Sequence, residues 1–359
     1  MQIFMGQRSV FNRNNLAFFV LSRMRFTIFI LFILIIGGSS CGRMQNNPAQ
    51  NAQDIILPME RLDQVLFNLD TIHINDSLLD SHTRYPFISE VLLKQMLAID
   101  SSNSETALLS FLTAYRPIFT AVQKINAPAT MHPKLQSLFK YLHYYFPDYP
   151  LPKKIIYFIG PLEGFGNSIG LDYMAIGLQM FLGDTSSWYQ SDQFKKYFPP
   201  YISRNFTPHF IPITAAKNLL QDIAPNSNVT RGLIIEMIEL GKRHYILKKI
   251  LPQSIDADLF GYSAAQYAAT MNAEQDIWNY LLKMNFVYSK DPKVTSQLLS
   301  EGPFSLYFGN EIPRNVGVLI GYQIVKSWMA QQSEQDQSNL KALLQMPAEK
   351  IFAESKYKP

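Results

Sequence analysis

Residues 166–170 read GNSIG and match G-x-S-x-G, the pattern that lifts a serine onto a strained turn beside oxyanion donors in α/β-hydrolases. Ser168 would be the nucleophile, with Asp172, Asp222, His209 and His244 further along the chain as partners. The context opposes that chemistry. The apolar run that would supply the strand, KKIIYFIG at residues 153–160, is separated from Gly166 by a stretch holding Pro161 and Gly164. A serine set back from the strand end has no reason to sit on the strained turn, and the stretch reads as a hairpin loop of small residues. Its glycines, Gly164, Gly166 and Gly170, are also spaced one residue too long for the G-x-G-x-x-G dinucleotide fingerprint.

Other groups could do chemistry. Glu236 and Glu239 lie three apart on one side of a predicted helix, where burial could separate two carboxylates into an acid and a base. Arg243 follows Glu239 by four, which also suits a solvated face with an i,i+4 ion pair. The six histidines are His73, His82, His132, His143, His209 and His244, and none has another four residues away, so H-E-x-x-H does not occur. No metal and no other cofactor is expected. The aromatic stretches LFKYLHYYFPDYPLP (residues 138–152) and WYQSDQFKKYFPPYISRNF (residues 188–206) could stack on carbohydrate, but aromatics in a chain of this size mostly build the core.

One cysteine occurs in 359 residues, Cys41, directly after an apolar run. Arg23 and Arg25 precede that run, residues 26–36, and Gly37, Gly38, Ser39 and Ser40 follow it. As a helix it would cover roughly 16 Å, about half a bilayer's hydrocarbon, too short to span. Basic residues, a short apolar core and small residues before a cut describe a secretory signal, here residues 1–40 with its working part at 24–40 from Met24. Cleavage before Cys41 would leave its thiol free for acylation, and the stretch resembles a bacterial lipoprotein signal. Residues 41–54 then read as the lipidated cysteine and a flexible polar tether, and residues 55–359 as one globular domain.

The net charge of +4 belongs to the signal. Residues 1–41 hold four arginines and no acid, so 28 of the 32 basic residues remain against 28 acidic ones, and a nucleic-acid footprint is excluded. No disulfide can form within one chain, so stability must come from a core, which 47% hydrophobic residues can supply.

The elements that must position these groups are mostly helical. Residues 89–99, 105–125 (interrupted at Pro117) and 134–146 have helical periodicity, as does most of residues 55–150. Residues 153–160 read as a buried strand, while IGLDYMAIGLQMFLG (169–183) suits strand or helix equally. Pro199 and Pro200 mark a break. Helices return after it: residues 231–250 opened by Thr230, a helix whose Ser263 and Gln266 have capping-box spacing, then residues 315–332 and 339–359. The fold class is therefore α+β, a mostly helical body with a small central sheet or hairpin.

Several segments in order carry a family resemblance. FKYLHYYFPDYPLP and KKIIYFIGPLEGFG, then AIGLQMFLG and PPYISRNFTP, are followed by EMIELGKRHYIL, LFGYSAAQ, EQDIWNYLL, GPFSLYFGNEIPRNVGVLIGYQIVKSWM and IFAESKYKP. Over residues 139–359 the chain resembles the gliding-motility-associated lipoprotein B (GldB) family of Bacteroidetes. Gln179 and Leu240 depart from acidic residues at those positions. The family is distantly similar to zincin-like metallopeptidases, and that similarity would put residues 210–223, FIPITAAKNLLQDI, at the zinc-helix position without ligands. The resemblance implies a zincin-like body without its metal site, in a non-catalytic lipoprotein required for gliding. It would be held to the membrane through its N-terminal lipid, facing the periplasm from the outer membrane, and would act by contact with envelope gliding-machinery proteins. The alternatives are a serine- or metal-dependent envelope hydrolase and a peptide- or glycan-binding module. Recognition by contact is expected on the glycine-rich loop and the aromatic segment after it, at Glu163, Phe165, Asn167 and Trp188.

Overall fold

Two five-residue runs, KIIYF and YMAIG, organise the molecule. Both are apolar at nearly every position, as strands covered on both faces must be. They form β2 (Lys154–Phe158) and β4 (Tyr173–Gly177), paired in parallel with Lys154 opposite Tyr173. The sheet has four strands in the order β1-β2-β4-β3. β1 (Met59–Arg61) runs parallel to β2, with Met59 opposite Ile155. β3 (Asn167–Ile169) is the opposite edge, antiparallel to β4 with Ser168 opposite Ala175. The computed structural model describes residues 48–74, 76, 83–99, 104–164, 166–225 and 231–359.

Helices make up most of the rest, in keeping with the α+β reading. α1 (Leu62–Phe67) follows β1 directly, and α2 (Ser104–Ile125) and α3 (Ala127–Tyr145) lead to β2. After the sheet come α4 (Ile211–Ile223), α5 (Leu233–Ile250), α6 (Ala264–Asn272), α7 (Val316–Met329) and α8 (Ala348–Glu354). No described helix is long and apolar enough to cross a membrane.

The long helix α5 is the axis of the C-terminal half. It buries residues around most of its circumference, among them Leu233, Met237, Ile238, Ile246 and Ile250, and packs most extensively on α7. Glycine makes that approach possible. A Cβ on Gly321 would collide with the carbonyl of Met237, and one on Gly241 would stand 2.6 Å from the Tyr322 nitrogen. The two backbones touch where any side chain would hold them apart.

Several sequence expectations need correction. α2 is not interrupted at Pro117. Proline removes the N–H that would bond the carbonyl four residues back, but Thr113 and Pro117 are both exposed, so water can take that carbonyl. Residues 87–96 are helical but wound as a π-helix, the Leu97 N–H reaching the Leu92 carbonyl at 2.9 Å. α5 begins at Leu233 with Gly232 as its N-cap, and Thr230 lies outside the described residues. The capping box of α6 is present, Ser263 accepting from the Gln266 N–H and Gln266 accepting from the Ser263 N–H.

The segment expected to be tether is partly folded. Pro48–Asn51 forms a 3-10 turn with Ala49 fully buried, and Asp54 pairs with Lys140 of α3 at 2.8 Å. Buried His132 of α3 donates from Nε2 to the Leu57 carbonyl at 2.9 Å, leaving Nδ1 to accept from the Tyr157 hydroxyl at 3.2 Å. Pro48–Pro359 is one compact unit. Residues 1–40 and Cys41 lie outside the described residues.

Candidate functional site

The two central strands end at Phe158 and Gly177, and the glycine-rich loop starts there. Fully buried Gln179 joins the strand ends: its Oε1 accepts from the Gly160 N–H at 3.0 Å and its Nε2 donates to the Pro161 carbonyl at 3.4 Å. A carboxylate could not make that second bond, which explains an amide where an acid was expected. Buried Tyr189 adds a second brace, its hydroxyl donating to the Gln179 carbonyl at 2.7 Å and accepting from the Leu182 N–H at 2.9 Å. Tyr115 of α2 accepts from the Leu162 N–H at 3.0 Å. The loop is thus tied to the sheet, α2 and the aromatic segment.

Of the expected contacts, Glu163 is exposed and accepts from Gln193 Nε2 at 3.3 Å. Asn167 sits on edge strand β3, partly buried, with an Oδ1 that has no hydrogen-bond partner. Trp188 is partly buried against the core in a turn beside Tyr189, so its indole is a packing group more than a free surface. Phe165 lies outside the described residues. The aromatic segment itself is largely core: Tyr189 stacks on Phe194 with centroids 4.8 Å apart, and both rings meet Phe206 edge-on.

Ser168 belongs to the β3 ladder, not to a strand-to-helix elbow. Burial pushes the phenol of Tyr173, at the start of β4, above its usual range. On α5, Glu239 pairs with Lys242 at 2.9 Å and with Arg231 at 3.9 Å. The expected Glu239–Arg243 pair is replaced, because Arg243 turns to Gln221 of α4 at 3.1 Å. Lys242 is 1% exposed and also donates to the Met346 carbonyl, so Glu239 answers a buried charge. Among the described residues, no three histidine, cysteine, aspartate or glutamate side chains cluster as metal ligands would.

A cluster that the sequence reading did not single out lies between α4, α5 and the turns around them. Burial depresses the pKa of Lys217 on α4, against the pull of Glu301. His244 on α5 stacks on Phe260 with centroids 4.7 Å apart, and Nδ1 donates to the Leu240 carbonyl at 3.0 Å. Burial, then the charge of Lys217, lowers its pKa to about 4, so the ring is neutral near neutral pH. Arg204 donates to Gln266 Oε1 at 2.8 Å and to the Gly261 carbonyl, a residue whose φ of 71° only glycine adopts freely. Tyr262, next in the chain, is buried, and its pKa is raised by that burial. No local motif could reveal this group, since its members come from positions 204 to 301.

A family model described as gliding motility protein GldB matches residues 43–359. Neither a curated protein nor a solved structure matches the chain.

Proposed function

The chain belongs to the gliding motility protein GldB family, and from that premise we propose that its folded body acts by contact, as a lipid-tethered and non-catalytic part of the envelope machinery for gliding. Lipidation at Cys41, after removal of residues 1–40, would supply the membrane attachment, each buried CH₂ adding ~0.8 kcal/mol. The contact surface would be the rim at the sheet's C-terminal end, with Glu163 exposed on its loop. The reading keeps the zincin-like arrangement as a scaffold, in which edge strand β3 lies against α4.

The observation that supports contact over chemistry is the employment of the two best catalytic candidates. Ser168 is set in the β3 ladder opposite Ala175, and the Glu239 carboxylate is bonded to buried Lys242. Both carry structure where a nucleophile and a base would have to be free.

Complementation of a gene deletion tests this. Loss of the gene should stop cell spreading, and a Ser168→Ala, Glu236→Gln variant should restore it. Glu239 is left intact because its loss would strand Lys242. Glu163→Lys should accumulate at the membrane yet fail to restore spreading. A Ser168→Ala, Glu236→Gln protein that folds and reaches the membrane without restoring movement would overturn the non-catalytic reading. In the same strains, Cys41→Ser should abolish palmitate labelling, and labelling that persists would remove the anchor.

A further inference from the structure

Edge strand β3 carries backbone groups that the fold does not use. Along an antiparallel pair, residues that exchange backbone bonds with the neighbouring strand alternate with residues whose N–H and C=O point the other way. The bonds at both ends of the β3–β4 pair fix the phase. Gly170 donates to the Tyr173 carbonyl at 2.9 Å, and Gly177 donates to the Gly166 carbonyl. With Ser168 opposite Ala175, the residues facing β4 are Gly166, Ser168 and Gly170. Asn167 and Ile169 therefore turn their backbone outward. Each presents one N–H and one C=O, and among the described residues none of these groups has a hydrogen-bond partner. α4 packs beside β3 but sends no hydrogen bond to them.

An open edge invites another strand, and proteins commonly guard it with charge, proline or a covering element. The opposite edge of this sheet is guarded. Its strand β1 carries Glu60 and Arg61, paired with Lys154 at 3.0 Å and with Asp63 at 2.7 Å. β3 reads NSI, without charge or proline. Asn167 Oδ1 adds an unmet acceptor on the same strand, and Leu171 at the hairpin tip is fully exposed. The surroundings are acidic. Residues 155–194 hold Glu163, Asp172, Asp184 and Asp192 and no lysine, arginine or histidine. Glu163 and Asp172, one on each side of β3 in the chain, are both exposed. Lys153 donates its backbone N–H to the Asp172 carbonyl at 2.8 Å from the β2 side, away from the open edge.

We propose that the free edge of β3 docks an extended, basic segment of a partner protein, which joins the sheet as a further strand. The outward groups of Asn167 and Ile169 recur at about 6.8 Å, the repeat at which a second extended backbone presents its own donors and acceptors. A helix has already spent its backbone bonds internally. Lysine or arginine side chains on the docked segment answer Glu163 and Asp172. The proposal rests on the contact reading for its role in the cell and gives that contact a chemistry.

The probe is a heptapeptide of alternating lysine and valine, blocked at both ends and titrated calorimetrically into the purified full chain. One peptide per chain should bind saturably. A counterpart with glutamate for lysine, and one N-methylated at every amide, should each bind tenfold or more weakly. Amide exchange followed by NMR locates the site. In the free chain Asn167 and Ile169 should exchange freely and Ser168 slowly, and the peptide should slow the first two tenfold or more. Asn167→Pro removes an outward N–H that β4 does not use, so the β3–β4 pair should persist while peptide binding falls tenfold. Should that variant fail to fold, the N-methylated peptide tests the same bonds from the other side. No saturable binding of the basic peptide overturns the proposal, as does equal binding of either counterpart. Asn167 and Ile169 amides already protected in the free chain overturn it too. Peptide binding by a chain whose Asn167→Pro variant still restores cell spreading would uphold the docking edge and overturn its part in gliding, so the two readings fail separately.

Discussion

Replacing Gly321 by alanine should loosen the entire C-terminal half. The added Cβ would collide with the Met237 carbonyl and stand 3.1 Å from the Met237 Cα, where ordinary Cβ contacts begin near 3.4 Å. The atoms struck are backbone, so no rotamer change relieves them, and α5 and α7 must part by about 1 Å. Overpacking costs ~1–3 kcal/mol and occasionally more. A gap of about 0.5–1 Å along the remaining contact forfeits a quarter to a half of each dispersion well. Alanine's better helix propensity returns at most ~1 kcal/mol. A net loss of about 3 kcal/mol follows from these three effects, with the collision dominant. At ~2.1 cal/mol/K of unfolding entropy per residue over roughly 310 folded residues, Tm should fall by about 5 °C. Scanning calorimetry of wild type, Gly321→Ala and Gly317→Ala measures it. A Cβ at Gly317 meets the Leu298 carbonyl at 2.8 Å and otherwise side chains that can move, so that variant should fall between the other two. A Gly321→Ala protein melting within about 1 °C of wild type would refute the close-contact argument.

Glu239→Gln should destabilise more than Lys242→Met in urea unfolding. The first strands a 1%-exposed lysine at a cost of ~3 kcal/mol, whereas the second leaves a 32%-exposed carboxylate that Arg231 still faces; equal losses would contradict this. His244 should make stability rise with pH between about 4 and 6.5. Its folded pKa lies below its unfolded one, so in that window the unfolded chain binds the extra proton; the contribution is complete above pH 6.5 and lost as pH falls through 4, up to ~3 kcal/mol. NMR titration of the ring protons should give a midpoint near 4, and one at 6.5 would refute the burial argument. Tyr189→Phe should cost ~2–3 kcal/mol, because the Gln179 carbonyl and the Leu182 N–H both lose their partner in the core. A melt matching wild type would show that the brace carries nothing.

How far the fold could be read in advance depended on whether its cause was local. β2 announced itself because a strand covered on both faces must be apolar throughout, and the α6 cap did so because its two reciprocal bonds span only three residues. β1 could not be seen, since MER has no pattern and its order comes from pairing with residues on the order of a hundred positions away. Pro117 misled for a related reason: whether proline breaks a helix depends on who receives the orphaned carbonyl, and exposure decides that. The α5–α7 contact did leave a readable trace in Gly317 and Gly321, four residues apart on one helix face, with Gly241 elsewhere in the chain. At the site, Ser168 and Glu239 were legible as residue types, but their structural employment was not, because Ala175 of the neighbouring strand and Lys242 had to be placed first.

The parallel pairing of Met59 with Ile155 sets an order of assembly. A chain emerging from its N-terminus holds β1 for almost a hundred residues before β2 arrives, and loop closure on that scale is slow. The axis helix then waits for α7, and α7 in turn is fastened by Ser327 and Gln331 donating to the Ser355 carbonyl, each at 2.8 Å, four residues before the chain ends. KIIYF and YMAIG therefore stay uncovered through much of synthesis, as apolar segments able to pair with a neighbouring chain. Truncation anywhere between leaves a strand or a helix without its partner, so the body assembles as a whole or not at all.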